Sequence, residues 1–86
     1  MKILIVEDDT MLRNWLSMLL SSLSDYQLQI YEAGDGLEAL EVCQTTPVEL
    51  VFTDIKMHRM DGLKLIQKLK ESDPEIRTAV LSSYDD

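Results

Sequence analysis

Eighty-six residues, 45% hydrophobic and 28% charged, suit one small globular domain and leave no room for two. Sixteen acidic against eight basic residues give a net charge of −8, which argues against nucleic-acid binding by this segment, because such binding rests on Lys and Arg neutralising phosphates. The single cysteine, Cys43, excludes an internal disulfide and suits a reducing compartment. No apolar run has the length of a signal core or a membrane span, so a cytoplasmic location is expected.

Ile3-Leu4-Ile5-Val6 is a continuous apolar run, the pattern of a central parallel strand covered on both faces. It stops at Glu7-Asp8-Asp9, and either Asp9 or Thr10 can cap the helix that follows. In that helix Leu12, Trp15, Leu16, Leu19, Leu20 and Leu23 recur at helical spacing. Met11, Trp15 and Met18 widen the apolar face on one shoulder, and core packing is the favoured reading for them over a contact face for a partner. Ser21, Ser22, Ser24 and Asp25 end the helix. Residues 27–32 alternate polar and apolar, as expected of a strand at a sheet edge.

Ala33-Gly34-Asp35-Gly36 reads as a turn, and Asp35 with Glu38 has the spacing of a capping box. Leu37, Ala39, Leu40 and Cys43 supply the buried face of a second helix, which Thr45-Thr46-Pro47 stops. Cys43 is expected in or near the core, with no catalytic role. A third strand runs from Glu49 to Thr53 and ends on Asp54. Asp61 can cap a third helix with Leu65, Ile66 and Leu69 inward, Leu63 on the flank and Lys64, Lys68 and Lys70 outward; Ser72-Asp73-Pro74 ends it. Thr78-Ala79-Val80-Leu81 is a fourth apolar strand that reads as covered on both faces, followed by Ser82.

Strands alternating with helices imply an α/β fold, a parallel sheet with helices on both faces. With the alternating second strand at an edge and right-handed crossovers, a strand order of 2-1-3-4 follows. That order sets the ends of strands 1 and 3 side by side at the switch point where such sheets bind ligands, and so brings Glu7 and Asp8 beside Asp54. Three converging carboxylates repel one another unless one is protonated or a cation joins them. Oxygen donors suit Mg²⁺ or Mn²⁺, and a divalent ion beside a carboxylate permits phosphoryl chemistry on that carboxylate. His58 reads as a surface residue of the loop, while Ser82, at the same rim, offers a hydroxyl to a phosphoryl group.

These pieces resemble the receiver domain of two-component response regulators. The matching residues are Ile3 to Asp9, Ala33 to Leu40, Thr53 to Met57 with Met60-Asp61-Gly62, and Val80 to Ser83. The resemblance spans the chain, with the order and spacing of all four pieces preserved. It implies a flavodoxin-like doubly wound sheet and a single receiver domain over residues 1–86. It implies that Asp54 accepts a phosphoryl group and that Ser82 is the switch hydroxyl. Mg²⁺, or Mn²⁺ in its place, would be held by Glu7, Asp8, Asp54 and the backbone carbonyl of Lys56, with Glu7 acting through water. The implied donor is a sensor histidine kinase or a small acyl phosphate. The implied output is transcriptional, through a DNA-binding domain beyond residue 86, with no turnover activity apart from self-phosphorylation and self-dephosphorylation.

Two departures from the family pattern stand out. His58 occupies a position usually held by proline, and the chain stops before the fifth strand-helix unit with its lysine, so the domain is expected to be incomplete at its C-terminal end. An incomplete domain predicts that the apolar flank of helix one and the last strand pair between copies, as a homodimer or oligomer. A phosphorylation-independent interaction module is the alternative function. An aspartyl-phosphate hydrolase is disfavoured because Glu7-Asp8-Asp9-Thr10 lacks its Asp-x-Asp spacing, and a nucleotide- or flavin-binding sheet because acids replace the glycine-rich loop.

Overall fold

The structure, a computed structural model, describes residues 1–23, 27–57 and 59–81. Seven elements alternate along the chain: β1 (Lys2–Val6), α1 (Thr10–Leu23), β2 (Gln29–Ala33), α2 (Gly36–Thr45), β3 (Leu50–Asp54), α3 (Gly62–Ser72) and β4 (Arg77–Leu81). The four strands form one sheet in the order β2-β1-β3-β4, and every pair is parallel. The topology expected from the strand patterns is the one observed, with β2 at an edge. The expected strand starts at Gln27 and Glu49 shift to Gln29 and Leu50.

The helix starts follow from carboxylate caps. Asp9 takes the role at α1: its Oδ1 accepts from the N–H groups of Met11 and Leu12 at 3.0 and 3.2 Å, which settles the choice between Asp9 and Thr10. Asp35 accepts from Glu38 N at 2.9 Å, and the Glu38 carboxylate reaches back to Gly34 N at 3.3 Å, one residue before the capping-box position. Asp61 caps α3 through Lys64 N at 2.8 Å. Each carboxylate satisfies an N–H that has no partner within its helix.

The register sorts the strand side chains onto two faces. One face carries Leu4, Val6, Ala33 and Val51, which form a single buried cluster with Ala39 of α2 and Leu65 and Leu69 of α3. The other face meets α1, and here the expectation fails. No residue of α1 is buried; Met11, Trp15 and Met18 are 82%, 56% and 72% exposed, so they are not core residues. Leu12 and Leu23 are exposed as well. Only Leu16, Leu19 and Leu20 line the sheet-side groove, with Ile5, Phe52 and Leu81. Among the described residues α1 is the one helix on this face, and a single helix touches a sheet along a narrow line, so the wide apolar face of α1 exceeds what the sheet covers.

Two smaller corrections have the same local character. Leu37 is exposed at the first turn of α2, where Gly36 and Ala39 are the buried residues. Val80 is exposed on β4, so this strand is not covered on both faces. Cys43 is half-buried, as expected, and burial pushes its thiol up, away from the reactive thiolate.

Candidate metal-binding acidic site

Parallel pairing in the register Val6↔Thr53 carries β1 and β3 to a common end. The chain leaves β1 at Glu7 and reaches Asp54 as the last residue of β3. One carboxylate oxygen from each of Glu7, Asp8 and Asp54 lies within 4.8 Å of the others. Topology alone accounts for the meeting, since Glu7 and Asp54 are remote in sequence and adjacent only because β1 and β3 are neighbours. The convergence expected from the strand order is therefore observed.

The three groups differ in environment. Glu7 is 2% exposed, whereas Asp8 and Asp54 are half-buried. Burial is the chief reason the Glu7 carboxyl is pushed up to about 7; the Asp54 charge and hydrogen bonding to Asp8 and Asp54 add to it, against the opposing donation from Asp9 N. That donation, at 3.0 Å, fixes Glu7 Oε2, and the Glu7 N–H is tied to the Ala33 carbonyl at 3.0 Å. Asp54 Oδ1 accepts from the Ile55 N–H at 2.7 Å. An all-oxygen set of three close carboxylates fits a hard divalent cation, which would relieve their mutual repulsion.

The strand that ends on Asp54 is anchored from beneath. Thr53 is fully buried, and its hydroxyl donates to the Asp54 carbonyl at 2.9 Å. The start of α3 closes against the same carbonyl: a Cβ on Gly62 would lie 2.1 Å from Asp54 O, so only glycine allows the approach. The Gly62 N–H then donates to Ile55 O at 2.8 Å, which ties the start of α3 to the residue after Asp54.

Two arginines complete the surroundings, and sequence reading missed both. Arg13 donates to the Glu7 carbonyl at 2.7 Å and to Glu32 Oε1 at 3.0 Å, tying α1 to the ends of β1 and β2. Its signal was present, as the one basic residue of α1 directly after a run of acids. Arg59 donates to Asp35 Oδ2 through Nε at 3.0 Å and Nη2 at 2.6 Å; nothing in the sequence pairs residues 24 apart in two different loops. Lys56 is exposed. Ser82 and His58 lie outside the described residues.

Fold and site together define a class: a doubly wound, flavodoxin-like parallel sheet with an acidic cluster at its switch point. The chain belongs to the response regulator receiver domain family, whose model matches residues 3–86. It is 37% identical over 86 residues to YhcZ, an uncharacterised transcriptional regulatory protein of Bacillus subtilis, covering 100% of this chain and 40% of that protein. It is 38% identical to the transcriptional regulatory protein HptR of Staphylococcus aureus, covering 99% of this chain and 33% of that protein. Among solved structures, the response regulator protein TrrA from Thermotoga maritima, in complex with Mg²⁺ and BeF, superposes with a TM-score of 0.89 at 26% identity, covering 98% of this chain and 70% of that one. The chain thus spans less than half the length of these two regulators. Receiver domains are signalling domains of two-component systems; they interact with histidine kinases and bind Mg²⁺ at an acidic pocket. Among the described residues, no helix is long and apolar enough to cross a membrane.

Proposed function

We propose that this chain is a phospho-accepting switch in which Asp54 takes the phosphoryl group and Glu7, Asp8 and Asp54, with the backbone carbonyl of Lys56, hold Mg²⁺. The observation that carries this reading is the convergence of the three carboxylates at the ends of β1 and β3. Bound there, Mg²⁺ would supply positive charge to the phosphoryl oxygens and offset the charge of the acceptor.

The chain's own groups divide the remaining work. Asp54 is the nucleophile: one of its oxygens forms a P–O bond to phosphorus as the P–N bond of a kinase phosphohistidine breaks. The imidazole leaves with the electron pair, and Asp54 becomes an acyl phosphate. A small acyl phosphate can donate in the same way, with a carboxylate as leaving group. The Ile55 N–H holds one Asp54 oxygen in place, and Thr53 and Gly62 fix the main chain behind it. Ser82 is the switch hydroxyl, donating to a phosphoryl oxygen. The phosphorylated state then biases a conformational equilibrium read by an output, which the similarity to transcriptional regulatory proteins suggests is transcriptional, through a separate DNA-binding domain.

Beryllofluoride provides the test. With Mg²⁺ present, ¹⁹F NMR should show a bound signal in the wild-type protein that is absent from Asp54→Asn. No bound signal in the wild type would turn the reading to a phosphorylation-independent interaction module.

A further inference from the structure

We propose that Arg59 is a positioning residue for the Asp54 site: its ion pair with Asp35 clamps the loop after the acceptor strand onto the N-terminus of α2. The inference rests on the phospho-acceptor reading for its function and on four observations for its geometry. Arg59 sits at φ 70°, the one described non-glycine residue with positive φ, a region that disfavours any residue with a Cβ. Something must hold it there. The holder is Asp35, whose Oδ2 accepts both Nε and Nη2 of Arg59, while its Oδ1 is committed to the Glu38 N–H at the cap of α2. With both oxygens engaged, the carboxylate is fixed to the first turn of the helix, and so is the arginine.

The next residue repeats the attachment without charge. Met60 is buried, and its Cβ lies 2.7 Å from where a Cβ on Gly36 would stand. Arg59 and Met60 therefore fasten the loop onto Asp35 and Gly36. Releasing Arg59 removes the charged attachment, and the main chain of residues 55–57, which carries the Lys56 carbonyl and is tied to α3 by the Gly62 N–H on Ile55 O, is expected to shift in response. The ordinary alternative is a surface ion pair of little consequence, since exposed pairs contribute little to stability. That alternative makes a different prediction.

Two variants separate the readings. Arg59→Gly removes the guanidinium and leaves a residue at ease with positive φ. Asp35→Asn keeps a good cap for α2 and removes the charge. Each is expected to speed amide exchange at Gly62 and shift the ¹H–¹⁵N signals of residues 55–57 in the metal-free protein. Each should also weaken Mg²⁺ binding by roughly threefold to tenfold, below the usual loss for a group orienting a metal ligand. The double variant should add nothing to either single one, Arg59→Lys should recover part of the affinity, and the melting temperature of Arg59→Gly should not fall. Unchanged loop signals and unchanged Mg²⁺ affinity in Arg59→Gly would overturn the clamp. If the wild type itself binds no Mg²⁺, the phospho-acceptor reading falls, and the metal-free loop signals still decide the clamp.

Discussion

The two faces of the sheet are built differently. On the face toward α2 and α3, Leu4, Val6, Ala33, Val51, Ala39 and Leu65 have no exposed surface, and Leu69 very little. On the face toward α1, no helix residue is buried, and a cavity of about 180 Å³ lies among Ile5, Leu16, Leu19, Leu20, Phe52 and Leu81. Two helices that pack on the sheet and on each other can bury a continuous core, whereas one helix among the described residues leaves its own flanks and the sheet's rim half open. The acidic site belongs to neither face. It stands at the ends of the strands the faces share, so its position depends on the sheet and on the well-packed side that carries α3 and Gly62.

If this asymmetry governs stability, substitutions should separate by face. Leu65→Ala, on the closed face, should cost roughly 2–5 kcal/mol, the range for deleting a fully buried leucine side chain. Leu20→Ala, on the open face, should cost about 1 kcal/mol, because a half-buried leucine has less to lose. Urea unfolding of both variants checks the pair, and equal losses would break the comparison.

The site adds a pH dependence that the faces do not. The Glu7 carboxyl is raised from its ordinary value near 4.5 to about 7 in the folded protein, chiefly by burial. A carboxyl raised on folding binds its proton more tightly in the native state. Its contribution is fully present below about 4.5 and is lost as pH rises through about 7. Metal-free protein should therefore lose stability across that window, while Glu7→Gln should be flat there and the more stable of the two at pH 8. Mg²⁺, which favours the ionised carboxyl, should flatten the slope in the wild type. Unfolding curves in EDTA and in Mg²⁺ over this range check the sign. The smallest effect is expected at Met18, 72% exposed: Met18→Gln should change stability by less than about 0.5 kcal/mol. A larger loss would mean that the outer side of α1 is packed against something.

How much of this was legible in the sequence divides along the same line. β1 and β3 were readable because a parallel strand covered on both faces must be apolar without interruption, and their order followed from the one strand that alternates. Asp35 and Asp61 were readable as caps because capping is local. The meeting of Glu7, Asp8 and Asp54 needed only the strand order. The burial of α1 was misread because periodicity tells which residues share a side of a helix and says nothing about how much of that side a neighbour covers. Trp15 and Leu16 are consecutive and both apolar, yet only Leu16 lines the groove. The two arginines escaped for a related reason. Arg13 and Arg59 act through partners supplied by other elements, so their roles appear only once the loops are in place.

The central claim is that three carboxylates gathered by the strand order make Asp54 a metal-dependent phospho-acceptor. Intact-mass measurement after incubation with acetyl phosphate tests it most directly. Wild-type protein in Mg²⁺ should gain the mass of one phosphoryl group, and the gain should vanish in EDTA and in Asp54→Asn. A wild type that gains nothing, or an adduct that persists in Asp54→Asn, would contradict the account.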